Sequence, residues 1–174
     1  MGRDMPIVLI GMLGAGKTTL GRNLAGRLTR SFIDSDQEIE KEQQLSIADI
    51  FNLHGEAYFR RLEQDKISAL LEERNIVLSV GGGAITNPTT AELIFTRSMS
   101  IWIDAPIDTL AARVGRDTSR PLLAGQDVKQ TLLKKLKERK DLYASADLRL
   151  VNDGDLKTVT DTAVRQIDNY LLKI

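Results

Sequence analysis

Pro6-Ile7-Val8-Leu9-Ile10-Gly11-Met12-Leu13-Gly14-Ala15-Gly16-Lys17-Thr18-Thr19 is the stretch on which the fold turns. Ile7 to Ile10 form a wholly apolar, mostly β-branched run, which predicts a short strand buried on both faces. Gly11 to Thr18 matches G-x-x-x-x-G-K-[ST], the phosphate-binding P-loop. Its glycines let backbone N–H groups turn inward around an anion, where Cβ atoms would otherwise collide. Lys17 adds a mobile positive charge for the outer phosphates, and the Thr18 hydroxyl suits Mg²⁺. Leu20, Leu24 and Leu28 recur every four residues, so a helix begins at the loop and aims its positive end at the phosphates. A dinucleotide turn would need G-x-G-x-x-G, and from Gly14 and Gly16 the third position falls on Thr19. The site is one for a nucleoside triphosphate.

At 174 residues the chain has the length of one domain. Lysines and arginines balance the acids at 24 each, so no global field draws it to nucleic acid or anionic lipid. Cysteine is absent, which excludes disulfides, thiolate zinc sites and thiol nucleophiles together. The first residues show no apolar core of a signal peptide, and no run reaches membrane-spanning length. A cytoplasmic monomer is expected, with no nucleic-acid or membrane partner.

Downstream, Ser31 to Asp34 reads as a second strand ending in Asp34-Ser35-Asp36, with Asp36 expected to cap a helix over Gln37 to Glu42. Ser46-Ile47-Ala48-Asp49 fits a capping box. Gly55 precedes a longer helix with Phe59, Leu62, Lys66 and Leu70 in one row, and Ile67 and Leu71 beside it. Arg60 and Arg61 stand near its start, where cations oppose the helix dipole, so a functional reason is sought for them. Ile76 to Val80 predicts a third strand running into Gly81-Gly82-Gly83, a backbone suited to close approach to a ligand. Further strands are expected at Ser98 to Asp104, where Trp102 belongs to the core, and at Leu148 to Val151. Helices are expected at Asn87-Pro88 to Phe95, Ile107 to Val114, Val128 to Ala146 (with Leu132, Leu136 and Tyr143 buried) and after Asn152-Asp153-Gly154. Between Gly115 and Gly125 lies a polar segment with Arg116, Arg120 and Pro121, read as a hinged lid over about 115–126.

Alternating strands and helices imply an α/β fold with a parallel sheet covered on both faces. Ligands in such sheets bind beyond the carboxyl ends of the strands, where the P-loop, Asp34-Ser35-Asp36, the triple glycine and Asn152-Asp153-Gly154 all fall. Phosphoryl transfer needs a triphosphate cradle, a metal, an acceptor in line and cations for the equatorial oxygens. Thr18 and Asp34 supply oxygens for Mg²⁺, Asp36 can orient an acceptor hydroxyl and take its proton, and Arg120 can close over the γ-phosphate. If Arg60 and Arg139 both reach the acceptor, it carries an anion such as a carboxylate. Residues alone lead to a kinase for a small, anionic, hydroxyl-bearing molecule. A GTPase switch would carry D-x-x-G and N-K-x-D, and neither string occurs.

The chain resembles the shikimate kinases over nearly its whole length. The resemblance rests on the P-loop, Asp34-Ser35-Asp36, Phe59-Arg60-Arg61-Leu62-Glu63, Gly81-Gly82-Gly83, Arg120-Pro121-Leu122-Leu123 and Arg139-Lys140-Asp141-Leu142-Tyr143, in that order. It implies a nucleoside monophosphate kinase-like fold, with a five-stranded parallel sheet of order 2-3-1-4-5. It also implies substrate-binding helices at about 35–62 and Mg²⁺- and ATP-dependent phosphorylation of the shikimate 3-hydroxyl. Lys17, Asp36 and Arg120 would then be catalytic, and Thr18 and Asp34 would serve the metal. Gly11, Met12, Leu13, Gly14, Ala15, Gly16, Lys17, Thr18, Thr19, Arg113, Arg120 and Asn152 would hold the nucleotide. Asp36, Phe51, Phe59, Arg60, Gly81, Gly82, Gly83 and Arg139 would hold shikimate, with Glu63 fixing Arg60. Val80 departs from the family pattern, where many members place Thr before the three glycines. A gluconate kinase of the same fold is the rival that Arg60 and Arg139 would also suit.

Overall fold

The computed structural model describes residues 4–115 and 127–173. Five strands, β1 (Ile7–Ile10), β2 (Ser31–Asp34), β3 (Ile76–Ser79), β4 (Met99–Asp104) and β5 (Leu148–Val151), form one sheet in the order β2-β3-β1-β4-β5. Every pairing is parallel. β1 and β3 are buried at every position, as the apolar runs Ile7 to Ile10 and Ile76 to Leu78 require in a sheet covered on both faces. The register sets Asp34 opposite Ser79, Ile10 opposite Trp102 and Asp104 opposite Val151, so the carboxyl ends finish along one edge. The chain leaves β1 toward β2 and β3 and later returns to β4 on its other side, which opens a crevice beyond β1.

The helices are α1 (Lys17–Leu28), α2 (Ser35–Gln43), α3 (Ile47–His54), α4 (Glu56–Leu70), α5 (Pro88–Arg97), α6 (Ile107–Gly115), α7 (Val128–Tyr143) and α8 (Leu156–Leu171). A 3-10 turn, Ala84–Thr86, joins the triple glycine to α5. Four helices start on the side-chain caps their sequences advertise: Ser46 before α3, Asn87 before α5, Asp127 before α7 and Asp155 before α8. The main core gathers β1, β3 and β4 with Leu20 and Leu24 of α1, Ile67 of α4, Leu132 and Tyr143 of α7, and Val159, Ala163 and Ile167 of α8. A small second core of Ile39, Ile50 and Phe59 joins α2, α3 and α4. Trp102 is buried in the main core, as expected of it.

Two expectations need correction. Asp36 does not cap α2. Asp34, in extended backbone, is the cap, accepting the Asp36 and Gln37 N–H groups at 3.2 and 3.4 Å, while Asp36 sits inside the first turn. A cap must precede the helical dihedrals, and α2 begins at Ser35, two residues earlier than that role for Asp36 assumed. On α4 the buried face runs through Phe59, Glu63, Ile67 and Leu70, not through Leu62 and Lys66. Apolar spacing misplaced the row because a carboxylate occupies its centre. Arg120 and the lid segment beyond Gly115 lie outside the described residues. Among the described residues no helix is long and apolar enough to cross a membrane.

Candidate active site

The P-loop closes over the start of α1. Gly16 is the N-cap in left-handed backbone (φ 87, ψ 22), and no side chain caps the helix. The first-turn N–H groups and the helix dipole are therefore offered to an anion. Gly11 has φ +147, and a Cβ there would run into the Ile103 carbonyl of β4, so the loop's first position admits only glycine. Lys17 spans the cradle, its Nζ donating to the Gly11 and Met12 carbonyls at 2.8 and 3.1 Å.

Thr18 Oγ1 donates to Asp34 Oδ2 at 2.9 Å, while Asp34 Oδ1 is occupied by the cap of α2. One hydroxyl and one carboxylate oxygen at the loop fit Mg²⁺, a hard cation that keeps phosphate and water ligands. Among the described residues no three His, Cys, Asp or Glu side chains cluster as a metal cage. Such a site suits a metal carried in by a triphosphate. Val80, buried beside Ser79, adds no hydroxyl to it.

A second cluster is built around the triple glycine. A Cβ on Gly81 would lie 2.8 Å from Glu63 Oε1 and 3.1 and 3.3 Å from the two oxygens of Asp36. One on Gly83 would lie 2.6 Å from Arg60 Nη2, and one on Gly82 3.3 Å from the Gly11 carbonyl. The bare backbone thus lets two carboxylates and a guanidinium close on one turn, itself pressed against the P-loop. From α7, Arg139 Nη1 donates to the Gly82 carbonyl at 2.9 Å. Phe59 is buried beneath this group, its ring 4.8 Å from that of Phe51 and 5.3 Å from the Arg60 guanidinium. Asp36, Arg60 and Arg139, from three different helices, converge beside Lys17's loop.

Glu63 is the charge at the bottom of this group, 1% exposed, and accepts from Arg60 Nη1 at 2.6 Å. Arg60 also bridges to Glu56 at 3.2 Å, which offsets the unfavourable dipole at the start of α4. Burial works against the Arg60 charge, but Glu63 and Glu56 outweigh it and raise its pKa. Burial also pushes the Glu63 carboxyl up to about 7; Arg60 pulls it down, Asp36 pushes it further up, and Arg139 partly compensates. Its folded pKa therefore lies above its unfolded value, so the folded state holds more protons between the ordinary carboxyl range and neutrality. The stability this adds is present at acid pH and is lost as pH rises toward about 7. Between about pH 5 and about pH 8 the wild type should lose roughly 2–3 kcal/mol relative to Glu63→Gln. Urea midpoints of both proteins measure it, and a difference independent of pH would show that Glu63 titrates normally.

On the far side of the P-loop, Arg113 Nη1 donates to the Gly14 carbonyl at 3.3 Å and Nη2 to the Asn152 carbonyl at 3.3 Å. Asn152 Nδ2 donates to the Ala15 carbonyl at 2.7 Å. With Gly16, Thr19, Gly154 and Leu156, Arg113 and Asn152 line a cavity of about 210 Å³ beside the P-loop. The sequence reading missed Tyr143 as a site residue. Its hydroxyl donates to the Gly82 carbonyl at 2.8 Å, and only its spacing four residues after Arg139 on α7 hinted at a shared face.

The family model for shikimate kinase matches residues 13–170. A shikimate kinase of Novosphingobium aromaticivorans is 42% identical over 171 residues, covering 95% of this chain and 89% of that protein. The structure of Acinetobacter baumannii shikimate kinase in complex with shikimate superposes with a TM-score of 0.90 at 36% identity, over 96% of this chain and 94% of that one. A gluconokinase from Sinorhizobium meliloti superposes at a TM-score of 0.64 with 17% identity, over 98% of this chain and 95% of that one, a likeness of fold alone. P-loop, acidic pair, glycine turn and paired arginines thus occur together on a chain that belongs to the shikimate kinase family.

Proposed function

We infer that this chain transfers the γ-phosphoryl group of ATP to the 3-hydroxyl of shikimate, giving shikimate 3-phosphate and ADP in the route to chorismate and the aromatic amino acids. The observation that supports it best is the convergence of Asp36, Arg60, Glu63 and Arg139 on a glycine turn lying against the P-loop. An acceptor held there presents its carboxylate to Arg60 and Arg139 and a hydroxyl to Asp36. The hydroxyl oxygen attacks the γ-phosphorus as its proton passes to Asp36. The bond from phosphorus to the β–γ bridging oxygen breaks, and ADP departs. Lys17 neutralises charge on the outer phosphates, and the backbone N–H groups of Gly14 to Thr18 cradle the rest. Thr18, and Asp34 directly or through water, would hold Mg²⁺, which would supply charge neutralisation at the phosphate oxygens. Phe51 and Phe59 wall the acceptor pocket, and Arg113 and Asn152 border the base. Arg120 would add its charge from the lid. The whole chain acts as one kinase domain, as a monomer, in the cytoplasm where ATP is supplied.

A coupled ADP-release assay across shikimate, gluconate and nucleoside monophosphates tests this reading. Turnover should require ATP and Mg²⁺ and be confined to shikimate. Faster turnover of gluconate would transfer the acceptor site to a different sugar acid.

A further inference from the structure

We propose that Tyr143 is a positioning residue for the acceptor: its hydroxyl keeps the Gly82 carbonyl paired when Arg139 leaves that carbonyl for the acceptor's carboxylate. The inference rests on the proposed role of Arg139 as a carboxylate ligand. The Gly82 oxygen accepts two hydrogen bonds, from Arg139 Nη1 at 2.9 Å and from Tyr143 Oη at 2.8 Å. A carbonyl oxygen has two lone pairs, so both are engaged. The two donors differ in freedom. Arg139 is half-buried at the rim of the site, on a long stem with a fork of five N–H groups.

Tyr143 is fixed. It is 1% exposed, its ring stacks on Trp102 at 5.8 Å between centroids and 17° between planes, and its hydroxyl also lies 3.7 Å from Met12 Sδ. Burial holds its phenol above the ordinary value, so it remains a donor across the working pH range. Gly82 needs such an anchor because it is the junction of three parts. Its backbone faces the acceptor turn, abuts Leu13 N of the P-loop (3.4 Å from a Cβ placed on Gly82) and carries the hold of α7. With the phenol in place, Arg139 is released without orphaning a buried carbonyl, whose loss of its last partner would oppose binding.

The test measures shikimate and ADP affinities by calorimetry, with kcat and thermal midpoints, for wild type, Tyr143→Phe, Arg139→Ala and the double variant. Phe retains the ring on Trp102 and removes the hydroxyl, both as donor to Gly82 and as a hydrogen-bond partner of the Arg139 guanidinium. Tyr143→Phe should weaken shikimate about 5- to 20-fold, the size of a lost pairing at a buried carbonyl, with saturated kcat within about twofold and ADP affinity unchanged. In the Arg139→Ala background the same change should add less than about a twofold effect, since the exchange it supports no longer occurs. 3-Fluorotyrosine at position 143 keeps the donor and should restore wild-type affinity. Equal factors in both backgrounds, or ADP affinity falling as far as shikimate affinity, would overturn the proposal and leave Tyr143 a packing residue. If Arg139→Ala weakens shikimate and Tyr143→Phe does not, the proposal alone fails. If Arg139→Ala leaves shikimate affinity intact, the carboxylate reading fails, and the proposal with it.

Discussion

Asp36→Asn should lower kcat by about 10²–10⁴-fold, the range for removing a positioned general base, and at the same time stabilise the fold. The carboxylate of Asp36 lies against Gly81 next to the buried Glu63, where a Cβ on the glycine would come within 3.3 Å of both its oxygens. Asparagine fills the same space and can still hydrogen-bond a hydroxyl, but its carbonyl does not hold a proton. ATP affinity should therefore persist while turnover falls. The stabilisation follows from repulsion between Asp36 and Glu63, which raises the Glu63 pKa in the folded protein. Removing one of two carboxyls at this turn should yield a few tenths to about 1 kcal/mol near neutral pH, the exchange of activity for stability seen at strained sites. Steady-state kinetics and urea denaturation on the same variant check both halves. Parental kcat in Asp36→Asn would remove that carboxylate from the proton path.

The fold was legible because its signals are local and mutually consistent. Ile7 to Ile10, the Gly11–Thr18 motif and the leucine spacing of α1 fix a strand, a turn and a helix within one continuous stretch. Strand order then follows from recognising what that stretch belongs to, and the observed order β2-β3-β1-β4-β5 agrees. What the residue pattern hid lies where polar groups take apolar places. Glu63 sits on the buried face of α4, and hydrophobic spacing credited that face to Leu62 and Lys66. The N-cap of α2 moved from Asp36 to Asp34 because two aspartates two residues apart are equivalent to a pattern and different to a backbone. Tyr143 was legible as a core residue, but its hydroxyl's target, Gly82, is distant in sequence, and no spacing rule joins them. Gly81 to Gly83 sit on the other side of this boundary. Three adjacent glycines announced a close approach, and the groups that approach are Asp36, Glu63 and Arg60 of this chain as well as any acceptor.

Lys17→Met should reduce kcat by about 10²–10³-fold, the cost of removing one preorganised electrostatic group from a transition state, and should leave shikimate affinity nearly unchanged. The two effects separate because the anchors differ. Lys17 belongs to the P-loop, its ammonium 2.8 and 3.1 Å from the Gly11 and Met12 carbonyls. The groups proposed to grip the acceptor's carboxylate come from α4 and α7, where Arg60 is fixed by Glu63 and Glu56 and Arg139 by Gly82. Methionine matches the length of the lysine stem but brings no charge, so it fills the space without neutralising the phosphates. Because the negative charge on the transferred group spreads over its oxygens as the leaving bond breaks, the loss should fall on kcat more than on the nucleotide's ground-state affinity. Single-turnover rates with both ligands saturating isolate that step. A variant retaining more than about a tenth of the parental rate, against the expected range, would mean that another cation neutralises the phosphates. Among the described residues Arg113, already 3.3 Å from the Gly14 carbonyl, would be the first to examine.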